Sequence, residues 1–85
     1  MATDTPERDP ENVRTGATIA ALREAYGLKQ GELAALIGVS APLVSLIESG
    51  DRRATPQVCR AIADKLGIPL AAITVEGYEQ AKAAS

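Results

Sequence analysis

The chain has no His, no Phe and no Trp, one Cys, one Met and two Tyr among its 85 residues. Without His, and with Cys59 alone, a zinc site built from nitrogen and sulfur ligands has no donor set. A Ser or Cys nucleophile activated by His is excluded for the same reason. A single Cys forms no intrachain disulfide, so nothing points to an oxidising compartment. No apolar run approaches the roughly 20 residues of a membrane span. The N-terminal stretch MATDTPERDPEN is acidic and polar, unlike a signal peptide. These absences predict a cytoplasmic protein that is not an enzyme and holds neither metal nor cofactor.

Apolar residues are plentiful but small. Sixteen are Ala, against nineteen Leu, Ile and Val together. A chain poor in aromatics and rich in Ala and Leu favours close-packed helices over strands. The length allows one core. The fold class expected is therefore all-α, a small helical bundle.

The net charge is −2, which on its own argues against an anionic partner. Its distribution alters that reading. The charge is −3 over residues 1–13, +2 over residues 14–74 and −1 from Val75 onward. A mildly basic middle lies between acidic arms, which permits nucleic-acid binding without requiring it.

Pro6, Pro10 and alternating charge make residues 1–12 a disordered acidic arm, since no bulky aliphatic residue is there to offset ordering entropy. Asp9-Pro10 resembles a cap with proline at the first helical position, but the expected start of the first helix is near Val13 to Thr15, with Gly16 weakening its first turn. Ile19, Leu22, Arg23 and Tyr26 share one helical face, and Gly27 ends the helix with Leu28 as apolar cover. A second helix is expected over about Gln30 to Ile37. Gly38 stops it, and Ser40 caps a third over about Ala41 to Glu48. Thr55 caps a fourth with Pro56 at its first position, and Val58, Cys59, Ile62, Ala63 and Leu66 form its inward stripe. Pro69 is expected to open a short fifth helix carrying Leu70 and Ile73. The domain thus spans residues 13–74, with a C-terminal tail over residues 75–85. Cys59 reads as a packing residue.

The stretch from Leu28 to Gly50 carries the functional signal. Two short helices join through Gly38-Val39-Ser40, a connection tight enough to set them at a steep angle. A helix projecting in this way fits the major groove of B-form DNA, about 12 Å wide. Gln30, Leu33-Ala34, Gly38-Val39-Ser40, Val44-Ser45, Glu48 and Gly50 occupy fixed offsets, followed by Ile62-Ala63 and Leu66.

This joint pattern resembles the Cro and phage-repressor (Cro/C1-type) helix-turn-helix domains over roughly residues 14–74. The resemblance implies a compact five-helix bundle of the lambda-repressor-like kind. It also implies a transcriptional regulator, Cro-like or a stand-alone repressor, that binds double-stranded operator DNA as a homodimer. Lys29, Gln30, Ser49, Arg52 and Arg53 would then contact DNA phosphates, with Lys29 standing where the family more often has a small capping residue. Arg23 and Glu48 would form a structural ion pair. The recognition helix would present Ser40, Ala41, Pro42, Leu43, Ser45 and Leu46. Here the sequence departs from the family, whose readers are commonly polar or basic. Leu43 and Leu46 either belong to the core or form an exposed apolar patch, a feature that marks protein contacts. The alternative function is therefore the same fold used as a protein-binding module through its third helix, contacting a repressor, a polymerase subunit or a toxin. Arg outnumbers Lys six to three, and with abundant Ala this suggests a GC-rich genome, a phage or a mobile element.

Overall fold

The computed structural model describes residues 9–73. Four α-helices follow in order: α1 (Pro10–Ala25), α2 (Gln30–Ile37), α3 (Ala41–Ser49) and α4 (Pro56–Leu66), with a 3-10 turn over Leu70–Ala72. The expected arm through residue 8 and the tail over residues 75–85 lie outside the described residues.

Two helix boundaries differ from expectation. The first helix begins at Pro10, not near Val13. Asp9 supplies the cap by accepting the Glu11 N–H at 2.8 Å, and Pro10 sits at the first helical position, where its fixed φ and missing N–H do no harm. Residues 10–12, expected in the disordered arm, are helical. The extended helix also places Val13 over Gly50, where a Cβ would fall 2.7 Å from Val13 Cγ2. The second difference is at the other end. The expected fifth helix is a single 3-10 turn of three residues. Pro69 precedes it, and the Ile73 N–H donates to the Leu70 carbonyl at 2.9 Å. That turn still carries Ile73 into the core.

The remaining boundaries follow local chemistry. The Arg23 carbonyl accepts the Leu28 N–H at 3.0 Å and the Glu24 carbonyl accepts the Gly27 N–H at 2.9 Å, closing α1 with a Schellman motif. The Ser40 hydroxyl accepts the Leu43 N–H at 3.2 Å, and Thr55 accepts that of Val58 at 3.3 Å. Gly38 takes φ of 75°, a left-handed conformation that costs a side-chain-bearing residue roughly 1–2 kcal/mol. It allows the chain to leave α2 and enter α3 within three residues, with the two helices at 110°. No single helix among the described residues is long and apolar enough to cross a membrane.

The core is Ile19, Leu33, Ala34, Val44, Ile47, Cys59, Ile62, Ala63 and Ile73. It draws on every helix and on the final turn. α3 packs on both α1 and α2, while α4 closes the far side of α2. Gly16 explains how α1 approaches α3 so closely. Far from merely weakening a first turn, it is buried at mid-helix, and a Cβ there would press on the Ile47 carbonyl oxygen and reach 2.8 Å from that of Glu48. Only glycine admits two backbones at that distance.

Candidate nucleic-acid interface

α3 is held at its C-terminal end by a charge network. Arg23 Nε donates to Glu48 Oε2 at 2.7 Å and Nη2 donates to Oε1 at 3.1 Å, a two-pronged pair between α1 and α3. The side chains are only 13% and 6% exposed. Arg23 Nη1 also donates to the Leu28 carbonyl at 2.7 Å. The hydrogen bond to Glu48 raises the Arg23 guanidinium above its ordinary value. Desolvation opposes that rise, and the charges of Glu48 and Glu24 add to it. Three donors thus fix one arginine between the loop before α2 and the last turn of α3.

Gln30 joins this network. Its side-chain amide donates to Glu48 Oε1 at 2.9 Å. Gln30, read as a phosphate ligand, is thereby tied to the protein through its NH2 group and positions the start of α2 against the end of α3. The neighbouring Lys29 is exposed. Its poor capping chemistry is offset by Glu32, which accepts the Lys29 N–H at 2.7 Å, the reciprocal half of a capping box. That compensation was present in the sequence as a Glu three residues after the cap.

Past α3, the backbone N–H groups of Asp51 and Arg52 both donate to the Leu46 carbonyl, at 3.0 and 3.2 Å. This folds the loop back on the helix. Arg52 and Arg53 are exposed within it. The Ser49 hydroxyl lies 2.8 Å from Asp51 Oδ2 and 3.0 Å from the Leu46 carbonyl, so it is engaged inside the loop. Because Gln30 reaches Glu48, Lys29 lies at the same end of α3 from which Arg52 and Arg53 depart.

The recognition positions divide by exposure. Ala41, Pro42, Ser45 and Leu46 are exposed, Leu46 at 37%. Leu43 is half-buried and packs against the core. Ser40 is exposed, with its oxygen accepting the Leu43 N–H. The two leucines that sequence reasoning treated together therefore separate, one toward the core and one toward solvent. Leu36 on α2 is a further exposed apolar side chain, at 44%. No cluster of His, Cys, Asp or Glu fit to hold a metal occurs among the described residues.

A short helix pair at 110°, locked at one end and bare on its outer face, defines a helix-turn-helix protein. A family model described as helix-turn-helix matches residues 19–73, and the chain belongs to that Cro/C1-type family of DNA-binding regulators. Such regulators are generally not enzymes. No curated protein matches the chain in sequence. Among solved structures, it is similar to the restriction-modification controller protein C.AhdI from Aeromonas hydrophila, at 29% identity and a TM-score of 0.73. That alignment covers 76% of this chain and 98% of the other. It also shares a fold with the clp gene regulator ClgR from C. glutamicum, at 22% identity and a TM-score of 0.72, over 85% of this chain and 94% of that one.

Proposed function

We propose that this protein is a transcriptional regulator of the repressor kind, which binds operator DNA by laying α3 in the major groove as a homodimer. The observation carrying this reading is the bare outer face of α3, with Lys29, Arg52 and Arg53 exposed in the segments that adjoin it, before α2 and in the loop after α3. Cations at that place meet phosphates and set the depth of the helix without reading sequence. Gln30, held by Glu48 through one N–H of its amide, positions the α2 start and keeps its second N–H as a donor for a phosphate. Ser49 supports the loop that presents the two arginines. In a homodimer two such helices read half-sites about 34 Å apart. The likeness to C.AhdI, a restriction-modification controller protein, is consistent with this assignment.

The test is retardation of duplexes from a random pool, with the masses of the free protein and of its complex measured in parallel by sedimentation. A retained, enriched duplex, bound more weakly as salt rises from about 50 to 200 mM, supports the reading. No retained duplex at the lower salt overturns it. A monomeric mass for both free and bound protein removes the homodimer alone.

A second reading rests on exposed Leu36 and Leu46. These side chains suit a module that buries apolar surface against another protein, and binding of such a partner in place of DNA is its signature.

A further inference from the structure

The outward arc of α3 consists of Ala41, Pro42, Ser45, Leu46 and Ser49, all exposed, opposite the buried Val44 and Ile47. Little of this arc is available for hydrogen bonding. Ser49 is engaged with Asp51 and the Leu46 carbonyl. Ser40, just before the helix, accepts from the Leu43 N–H. Among the described residues, Ser45 is the one arc side chain whose polar atom has no such engagement. The rest of the surface is a methyl group, a pyrrolidine ring and an isobutyl group.

Such a surface lacks the usual means of reading bases. Guanine is read by Arg or Lys, adenine by Asn or Gln, and cytosine by a carboxylate. An apolar side chain laid against those edges would desolvate their polar atoms without replacing the lost hydrogen bonds. Thymine differs, because its major-groove edge carries a C5-methyl group that gains from apolar contact. We propose that α3 selects its DNA by the C5-methyl groups of thymine, with Leu46, Pro42 and Ala41 as the residues that determine specificity. This rests on the DNA-binding reading of the same helix and adds what the helix recognises.

Replacement of thymine by deoxyuridine tests this, since it removes the methyl and leaves every hydrogen-bonding group in place. The duplex enriched from the random pool is resynthesised with deoxyuridine at each thymine of a half-site in turn. Affinity should fall about fourfold for each contacted methyl. At the same position, a 5-methylcytosine·guanine pair keeps the methyl and changes the hydrogen-bonding pattern. It should bind more like the thymine duplex than the uracil duplex, and the opposite order overturns the proposal. Leu46→Ala should erase the uracil penalty at one position per half-site, whereas Ser45→Ala should leave every penalty in place. Equal affinity of the unaltered protein for thymine and uracil duplexes overturns methyl reading, whatever the variants do. In that case DNA binding stands and Leu46 is left for a protein contact. Enrichment of no duplex at all defeats the DNA reading, and this proposal with it.

Discussion

The inner and outer faces of α3 are built on opposite terms. On the inner side, Val44 and Ile47 are buried, Gly16 of α1 comes into backbone contact, and Glu48 takes three hydrogen bonds from Arg23 and Gln30. The outer side has exposed Ala41, Pro42, Ser45 and Leu46, none of which belongs to the core cluster. One nine-residue helix therefore divides its duties cleanly. The inner face fixes where the helix stands, and the outer face is free to change what it touches. Substitutions inside should cost stability and leave any recognition preference alone; substitutions outside should do the reverse.

Among changes to the charge network, the largest expected effect comes from Glu48→Ala. It leaves a guanidinium that is 13% exposed without its carboxylate and removes the acceptor for Gln30. Breaking a buried pair from one side costs about 3–5 kcal/mol, a large share of a small domain's stability. Glu24→Ala is the matching exposed change. Glu24 approaches Arg23 at 3.7 Å with its own side chain 72% exposed, so its loss should cost under about 1 kcal/mol. Urea denaturation of the two variants measures the difference. Similar midpoints would mean that the network contributes nothing beyond a surface pair. Glu32→Gln is not a neutral control for this comparison, because Glu32 accepts the Lys29 N–H at 2.7 Å.

Gly16→Ala is expected to follow, with a sign opposite to propensity. Ala in a helix interior is normally favoured over Gly by about 1 kcal/mol. Here the added methyl would press on two backbone carbonyls of α3, and forced overpacking of this kind costs about 1–3 kcal/mol. Gly31→Ala in α2 meets nothing within 4 Å and should stabilise by about 0.5 kcal/mol. Thermal melts of the pair should move in opposite directions. A higher melting temperature for Gly16→Ala would show that α1 and α3 stand further apart.

That glycine also marks the limit of what the residue order carries. Caps and stops are local, so Ser40, Thr55-Pro56, Gly38 and the inward stripe of α4 were readable from residue order alone. Arg23 with Glu48 was legible only through the family resemblance, since 25 residues separate them. Gly16 carries no local sign of its role, because a close helix crossing depends on where α3 lies. The same holds for the start of α1. Asp9-Pro10 offered a cap, but Val13 resting on Gly50 is a tertiary contact that favours the longer helix. At the other end, Pro69 reads as the start of a short fifth helix, yet the three residues after it make a single 3-10 turn. The bond from Gln30 to Glu48 joins residues 18 apart in the chain, so no local pattern announces it. Leu43 and Leu46 are three residues apart near the edge of the buried face, and periodicity alone did not divide them.

The loop after α3 tests the cationic end of the outer face. Arg52 and Arg53 are exposed, so replacing both with Ala should leave stability within about 0.5 kcal/mol. If they meet phosphates, affinity should fall about equally for every duplex, and the slope of log affinity against log salt should become shallower by about two. Titration at four or five salt concentrations supplies the slope. An unchanged slope would take both arginines out of the interface.

The sharpest contrast lies between two adjacent residues. Leu46 is 37% exposed and Ile47 is 3% exposed, one on each face of α3. Ile47→Gln buries a carboxamide among apolar side chains with no assigned partner, and should unfold a domain of this size or come close to it. Leu46→Gln loses only the part of its apolar area that is covered, about 1 kcal/mol or less. The new carboxamide can pair with the N6 and N7 edge of adenine, so selection from a random duplex pool should return a different preferred site with folding retained. A Leu46→Gln protein that unfolds like Ile47→Gln would place Leu46 in the core and erase the division of α3 into two faces. A folded variant that enriches the original site would keep the division but move base reading away from Leu46, onto Ala41, Pro42 and Ser45 in the first turns of the helix.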